Sequence, residues 1–177
     1  KSKKDLENFI QERSAHVTQT TLYGYLKTRI GVKYIAMMED ERFLKSINIA
    51  KWNIYMVALA DCAFYVFSYL TAEKNLKQND CKEIFLNIIE KEKINGLNDE
   101  IYFSGKENFL KRIEKVNFNN YHLNDPFKES GEALYYWSPI ADELKTLDKK
   151  IVLNSISLKW GLMKDEFTKI TKNLKFD

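Results

Sequence analysis

Residues 52–70 read WNIYMVALADCAFYVFSYL, an apolar run with one carboxylate, Asp61, at its centre. A carboxylate among that many apolar side chains must be hydrated, hydrogen-bonded or paired, because burying it without partners costs several kcal/mol. The run is close to the roughly 20 residues that a membrane-spanning helix needs, but Asn53, Asp61, Ser68 and several tyrosines dilute it. The sequence therefore predicts a buried helix at the centre of the fold rather than a membrane span.

The composition is that of an ordinary globular protein. The chain has 177 residues, of which 45% are hydrophobic and 30% charged, with only 2 Pro and 6 Gly. So few turn-forming residues disfavour a β-sandwich and long disordered linkers, and the length favours a single domain over residues 1–177. The net charge of +3 is too small to indicate a nucleic-acid partner.

Cysteine and histidine usage gives no sign of a disulfide framework or a metal centre. Cys62 and Cys81 lack the spacings of a disulfide scaffold, so we expect free thiols. His16 and His122 are too far apart for a local ligand pair, and we expect neither a metal nor another cofactor. Because no signal-peptide pattern is present, we expect a cytoplasmic protein.

Helical periodicity recurs along the chain, and no alternating strand pattern interrupts it. The apolar run belongs to a helix expected over residues 40–72, which follows a first helix over residues 3–29, and the last helix is expected to reach residue 174. The start and stop signals are Gly31 after the first helix, Asp40 before the second, Asp80 with Glu83 before the third, Ser104 with Glu107 before the fourth, Asp125 with Pro126 before the fifth and Ser138 with Pro139 before the last. We expect an all-α, single-domain bundle of five or six helices, with a central apolar helix and a long C-terminal helix.

The polar residues of the central helix are not scattered. Asn53, Asp61, Tyr65 and Ser68 recur at spacings that place them on one narrow stripe. Three interpretations stay open: the stripe faces water, it lines a ligand pocket, or Asp61 is buried and paired in a structural role.

The last helix carries an apolar seam. Its positions alternate by three and four for about three heptads, the lower limit for a coiled coil. The seam residues are Leu153, Ile156, Trp160, Met163, Phe167 and Ile170, with Leu174 continuing the pattern. The seam predicts either packing within the bundle or pairing of two copies in a homodimer.

The familiar catalytic motifs are missing from the sequence. Neither Ser104-Gly105 nor Ser130-Gly131 has the flanking glycine of a nucleophile elbow. Gly105-Lys106 lacks the upstream glycine and the following Ser or Thr of a phosphate loop. We therefore assign no catalytic residue.

Residues 15–29, AHVTQTTLYGYLKTR, resemble the turn and recognition helix of a TetR-type helix-turn-helix. His16 stands where that family has its turn glycine. The resemblance implies a DNA-binding regulator with an all-α ligand domain. The residues that it would place near DNA are Thr20, Thr21, Tyr23, Tyr25 and Lys27.

A longer stretch, residues 13–67, is similar to an uncharacterised bacterial family of small helical proteins, some of which are labelled esterase. The similarity covers RSAHVTQTTLYGYLKTRIG, the acidic pair Glu39-Asp40 and SINIAKWNIY. The esterase label implies a serine nucleophile with an oxyanion hole. Ser14, Ser68 and Ser138 are the serines that we would test for that role.

These observations favour a non-catalytic helical interaction or assembly protein with an unknown protein partner, homodimeric through the last helix. The aromatic content suits both a core and an interface. The alternatives are a TetR-like regulator, a small-molecule or lipid-binding protein with a pocket at the polar stripe, and an esterase. Lys-rich helix faces beside aromatic residues also leave peripheral membrane contact open.

Overall fold

Every regular element is helical in the computed structural model, which describes residues 2–175. Six of the helices have ten or more residues, and short 3₁₀ turns lie at Gly31–Lys33 and Tyr121–Leu123. The expected all-α bundle with a central apolar helix and a long C-terminal helix is confirmed. The helices are α1 (Lys3–Ile30), α2 (Tyr34–Met38), α3 (Glu41–Lys74), α4 (Cys81–Glu92), α5 (Asp99–Ile113), α6 (Lys128–Trp137) and α7 (Asp142–Thr171).

The central helix is α3, which contacts α1, α4, α5 and α6. By length and composition α3 could cross a membrane, but 83% of its most apolar 18-residue window is buried inside the protein. Removing that apolar surface from water is the main source of stability in a fold of this kind. The largest fully buried side chains on α3 are Phe64, Phe67, Ile54, Leu59 and Leu70.

The two longest outer helices, α1 and α7, run antiparallel. Arg13 in the first half of α1 pairs with Glu166 near the end of α7 at 2.6 Å, and Arg29 at the end of α1 pairs with Asp148 near the start of α7 at 2.7 Å. Leu6 near the start of α1 and Leu70 near the end of α3 line the same cavity, so α1 is antiparallel to α3 as well. Helices α3 and α7 therefore run in the same direction.

The boundaries of α1 and α3 agree with their sequence signals. Gly31 ends α1 with a φ of 65°, a conformation that glycine adopts without steric cost. Asp40 precedes α3 and accepts hydrogen bonds from the backbone N–H groups of Arg42 and Phe43.

Three other predicted starts were misplaced. Helix α5 begins at Asp99, because Asn98 accepts from the N–H of Ile101, and Ser104 lies inside the helix. Helix α6 begins at Lys128 rather than at Pro126. Ser138 ends α6 instead of starting α7, because it precedes Pro139, which disfavours helical backbone at this position, and its ψ is 126°.

Candidate functional site

Asp61 has no exposed surface, and each of its carboxylate oxygens accepts a hydrogen bond. The guanidinium of Arg112 in α5 donates to Oδ1 through Nη2 at 2.5 Å, and the backbone N–H of Ser130 donates to Oδ2 at 2.8 Å. Ser130 lies in the first turn of α6, where N–H groups have no partner within their own helix. Asp61 therefore caps α6 from another helix, and its negative charge is favourable at that helix N-terminus.

The network around Asp61 extends to α7 and to the loop before α6. The indole N–H of Trp160 donates to the hydroxyl of Ser130 at 3.0 Å. Nη2 of Arg112 also lies 3.3 Å from the Tyr121 hydroxyl, and that hydroxyl donates to the carbonyl of Pro126 at 2.8 Å. The network connects α3, α5, α6 and α7, so its evident role is to hold the bundle together.

Burial dominates the ionisation of Asp61. It raises the pKa of Asp61 to about 6, although Arg112 and the N–H of Ser130 favour the ionised form and lower the pKa. The pair with Arg112 therefore only partly repays the cost of removing the carboxylate from water. Removing one partner still leaves the other charge buried and alone, so both residues are needed.

Ser68 forms a second buried polar contact on the same stripe. Its hydroxyl oxygen accepts from the backbone N–H of His122 at 3.0 Å and lies 2.9 Å from Nδ1 of that ring. Nε2 of His122 lies 3.2 Å from the carboxylate of Glu73. The residue types match a serine hydrolase, but Ser68 has no exposed surface, and an ester carbonyl must come within about 3.5 Å of a nucleophile to react. The contact instead fastens the turn at Tyr121–Leu123 to α3.

The other two candidate serines are also buried. Ser14 has no exposed surface and Ser138 has 2%. The Ser138 hydroxyl donates to the carbonyl of Leu134 at 2.6 Å. None of the three serines has the solvent access that an esterase nucleophile needs.

The polar stripe thus faces protein along most of its length. Tyr65 is buried and packs against Phe127 and Phe167, with ring centroids 5.3 Å and 6.2 Å away. Asn53 is partly exposed and donates to the carbonyl of Ile49 in its own helix. The structure agrees with the third interpretation from the sequence, in which Asp61 is buried and paired in a structural role. A ligand pocket shared by all four stripe residues stays a prediction.

Sequence reasoning missed Arg112, Ser130 and His122 as partners of the stripe. A signal for Arg112 existed, because it lies three residues after the buried Phe109 and so on nearly the same face of α5. The sequence does not show that Arg112 pairs with Asp61, since the two residues are 51 positions apart along the chain.

The predicted seam forms the core face of α7. Trp160, Met163 and Phe167 are between 1% and 3% exposed, and Ile156 is 2% exposed. Leu153 is partly buried, and Ile170 is 38% exposed. The four most buried seam side chains pack inside their own chain, so pairing of two copies would have to use mainly another face of the helix.

A second apolar stripe lies on the far side of α7. Its five side chains are between 38% and 75% exposed. Their separations of three, four and seven residues keep them on one face, because an α-helix turns by about 100° per residue. We call this surface the outer stripe, and it consists of Leu144, Leu147, Ile151, Leu158 and Leu162. Both stripes have helical spacing, so spacing alone does not tell which of them faces the bundle.

Residues 15–29 do not form a helix-turn-helix. Helix α1 continues without a break through them, whereas the motif needs a turn between two helices. The residues that the resemblance placed near DNA point partly into the bundle: the Thr21 hydroxyl donates to the carbonyl of Val17, and the Tyr25 hydroxyl donates to Asp148 at 2.8 Å. This part of the TetR resemblance is wrong.

The described part of the chain contains neither a disulfide nor a candidate metal site. Within residues 2–175 no group of three His, Cys, Asp or Glu side chains is placed to hold a metal ion. Cys62 and Cys81 are free and buried. Burial raises the pKa of the Cys62 thiol to about 12, so this thiol stays protonated at neutral pH.

One apolar cavity of about 500 Å³ opens where α1 begins and α7 ends. Polar side chains, among them Lys3 and Gln78, lie at its rim. We call it the apolar cavity. Its apolar lining residues include Leu6, Phe9, Phe67, Leu70, Ile84, Phe167 and Ile170.

Comparison of the chain with protein families, with curated proteins and with solved structures finds no match in any of the three. The resemblance over residues 13–67 therefore stays a prediction. Function has to be argued from the surfaces and cavities of the protein itself.

Proposed function

We propose that this is a helical assembly protein whose chains pair through the outer stripe of α7. The observation that carries the proposal is the row of five exposed aliphatic side chains along one helix. Exposed apolar side chains that cluster on one face in this way are typical of interaction sites. The homodimer expected from the last helix is retained, but on the face opposite the core.

The stripe is suited to a second copy of the same chain because it is self-complementary. It runs for roughly 27 Å from Leu144 to Leu162 at 1.5 Å per residue. When two copies align antiparallel, Leu144 lies opposite Leu162 and Leu147 lies opposite Leu158, with Ile151 close to the two-fold axis. Such reciprocal contacts are what a two-fold interface requires.

The proposal is tested by the mass of the protein in solution. We expect a dimer for the natural sequence and a monomer for the double variant Leu147→Glu with Leu158→Glu, because four glutamates would then meet in the interface. Ser157→Glu adds one glutamate to an exposed position of α7 away from the stripe, so this control should stay dimeric. Light scattering or sedimentation velocity gives the mass. A natural protein that stays monomeric at roughly 100 μM, where a stable pair would be populated, overturns the proposal.

The apolar cavity supports a second candidate, the binding of an apolar ligand. A volume of about 500 Å³ with an apolar lining and polar groups at the rim has the proportions of a small-molecule site. The small-molecule alternative from the sequence would then be located here, away from Asp61.

A fluorescent fatty acid such as 11-(dansylamino)undecanoic acid tests this second candidate. The Leu6→Trp substitution fills part of the cavity and should abolish the fluorescence gain. Leu110→Trp is the control, because Leu110 lies on α5 outside the cavity lining. Equal binding by the two variants would contradict the assignment.

A further inference from the structure

Glu92, at the end of α4, is a second buried carboxylate, and its hydrogen-bond donors are all neutral. It is 6% exposed. Oε1 accepts from the Gln11 amide at 2.6 Å and from the Tyr55 hydroxyl at 2.9 Å, while Oε2 accepts from the Asn95 amide at 3.2 Å and from no other group that the structure describes. Among the described residues no cation lies within ion-pair distance of Glu92, in contrast to Asp61 with Arg112. A buried carboxylate without a cation is costly, and Oε2 can accept one more hydrogen bond.

The hydroxyl of Thr18 is a second polar group in the same place that can form a further hydrogen bond. The Thr18 side chain is 1% exposed, and within residues 2–175 its hydroxyl has no hydrogen-bond partner. The neighbouring hydroxyls of Thr20 and Thr21 do donate to carbonyls of the preceding turn, at 2.8 Å and 2.6 Å. Buried hydroxyls without a partner are uncommon, and each one calls for an explanation.

Glu92 and Thr18 line one cavity of about 270 Å³ between α1, α3 and the end of α4. We call it the Glu92 cavity. Its volume lies below the roughly 300 Å³ at which pockets for drug-sized ligands begin, so it suits a smaller molecule. The remaining lining residues are Ala15, Gln19, Lys51, Trp52, Tyr55 and Asn95.

The lining of the Glu92 cavity contains one negative and one positive side chain, Glu92 and Lys51. Trp52 and Tyr55 meet edge to face with ring centroids 5.8 Å apart and form an aromatic wall. The ammonium of Lys51 lies 5.2 Å from the Trp52 ring centroid, and Lys51 is partly exposed. The buried carboxylate therefore lies on the inner side of the cavity and the cation on the outer side.

We propose that the Glu92 cavity binds a small zwitterion of the amino-acid type. The primary ammonium of the ligand donates to Oε2 of Glu92 and to the hydroxyl oxygen of Thr18. Its carboxylate pairs with Lys51, and its side chain packs on Trp52. A simple amine would be repelled by Lys51 and a simple acid by Glu92, so a molecule with both charges fits best. This proposal does not depend on the outer stripe.

The test is an NMR titration that follows the indole N–H resonance of Trp52, identified by its loss in Trp52→Phe. Each of the common free amino acids is added separately, and we expect at least one to shift the resonance to saturation. For that amino acid, the N-acetyl derivative and the decarboxylated amine should bind at least about tenfold more weakly. If no amino acid shifts the resonance, or if the N-acetyl derivative binds equally well, the proposal is overturned.

Substitutions in the protein test the same contacts without changing the ligand. Glu92→Gln removes the charge and keeps the shape, and it should weaken binding by at least about tenfold. The control is Glu90→Gln on the same helix, whose carboxylate accepts from Tyr102 and Lys93 and lines no part of the cavity. Binding by Glu92→Gln equal to that of Glu90→Gln would overturn the proposal.

Thr18→Val is a second variant that tests the proposed ammonium contact even if Glu92→Gln fails to fold. The substitution removes a hydroxyl that has no partner among the residues that the structure describes, so it should leave folding intact while weakening binding. Unchanged affinity of a folded Thr18→Val for the amino acid would contradict the proposed ammonium contact.

Discussion

At the scale of single residues, Asp61 connects its own helix α3 to α5 and α6. It is the only acidic residue in the apolar run, and it binds Arg112 of α5 and the N–H of Ser130 at the start of α6. Ser130 in turn accepts from Trp160 of α7. One buried carboxylate thus stabilises the contact of α3 with helices that are distant in sequence.

Asp61→Ala should lower the free energy of unfolding by more than about 2 kcal/mol, because Arg112 would stay buried without its counterion and Ser130 would lose its acceptor. Urea unfolding followed by circular dichroism measures the change. Asp165→Ala, at an exposed position of α7, is the control and should stay within about 0.5 kcal/mol of the natural protein. A similarly small effect of Asp61→Ala would refute the structural role.

The raised pKa of Asp61 predicts a pH dependence with a definite sign. The folded protein holds this proton up to a pKa of about 6, whereas an unfolded Asp releases it near 3.9. Between these values the folded state binds more protons, so stability falls as the pH rises from about 4 to about 6, by up to roughly 3 kcal/mol.

The contribution of Asp61 is isolated by subtracting the profile of Asp61→Asn, which cannot titrate at this position. Urea unfolding from pH 4 to pH 7 supplies both profiles. A difference between the profiles that is flat, or that rises with pH, would be inconsistent with a raised pKa.

At the scale of the elements, local backbone requirements explain where the helices end. Gly31 and Gly24 both belong to the α1 region but differ in conformation. Gly31 has a φ of 65°, whereas Gly24 lies inside the helix, and no neighbouring atom lies within 4 Å of the position that an alanine methyl group would occupy there. The same substitution at these two positions should therefore have opposite effects.

Gly24→Ala should raise the free energy of unfolding by about 0.5–1 kcal/mol, since alanine restricts the unfolded chain and fits the helix. Gly31→Ala should lower it, because alanine is strained at positive φ. Thermal unfolding of the two variants side by side gives the comparison. Effects of the same sign would show that the end of α1 is not set by Gly31.

The turn at Tyr121–Leu123 is an element that depends on one side chain of α3. Ser68→Ala removes the acceptor of the His122 backbone N–H, so the exchange of this amide with solvent should accelerate about fivefold, which corresponds to roughly 1 kcal/mol. Ser46→Ala is the control, because that hydroxyl donates only to a carbonyl of its own helix at an exposed position. Equal protection of the His122 amide in the two variants would contradict the anchoring role.

At the scale of the whole molecule, α7 has two apolar faces and the bundle uses only one. The core face is covered by the rest of the chain, while the outer stripe leaves residues such as Leu147 and Leu158 more than two-thirds exposed. A second copy would remove this surface from water, and its binding would be linked to folding.

Pairing through the outer stripe predicts that thermal stability depends on concentration. The unfolding midpoint of the natural protein should rise over a hundredfold increase in protein concentration, whereas that of Leu147→Glu with Leu158→Glu should stay constant. Differential scanning calorimetry at several concentrations measures both. A midpoint of the natural protein that does not move with concentration would argue against a dimer.

Much of the fold could be predicted because its signals are local. Asp40 and Gly31 delimit α3 and α1 through contacts within a few residues, and the apolar run marked the central helix. The starts of α5, α6 and α7 were less predictable, since Ser104 and Ser138 have the composition of caps but occupy other positions in their helices.

The candidate sites could be predicted only in part. The stripe through Asp61 and Ser68 was visible as a pattern, but its partners Ser130 and His122 lie 69 and 54 residues away. The Glu92 cavity had no sequence signal, because its lining comes from three separate helices.

Local sequence was therefore sufficient for the helical class, the central helix and the limits of α1 and α3, because helix propensity, capping and periodicity act within a few residues. Only the tertiary structure showed that Asp61 is paired rather than hydrated and which apolar face of α7 is exposed. The physical reason is that a helix with two apolar stripes can bury either one, and the choice depends on how the other helices pack against it.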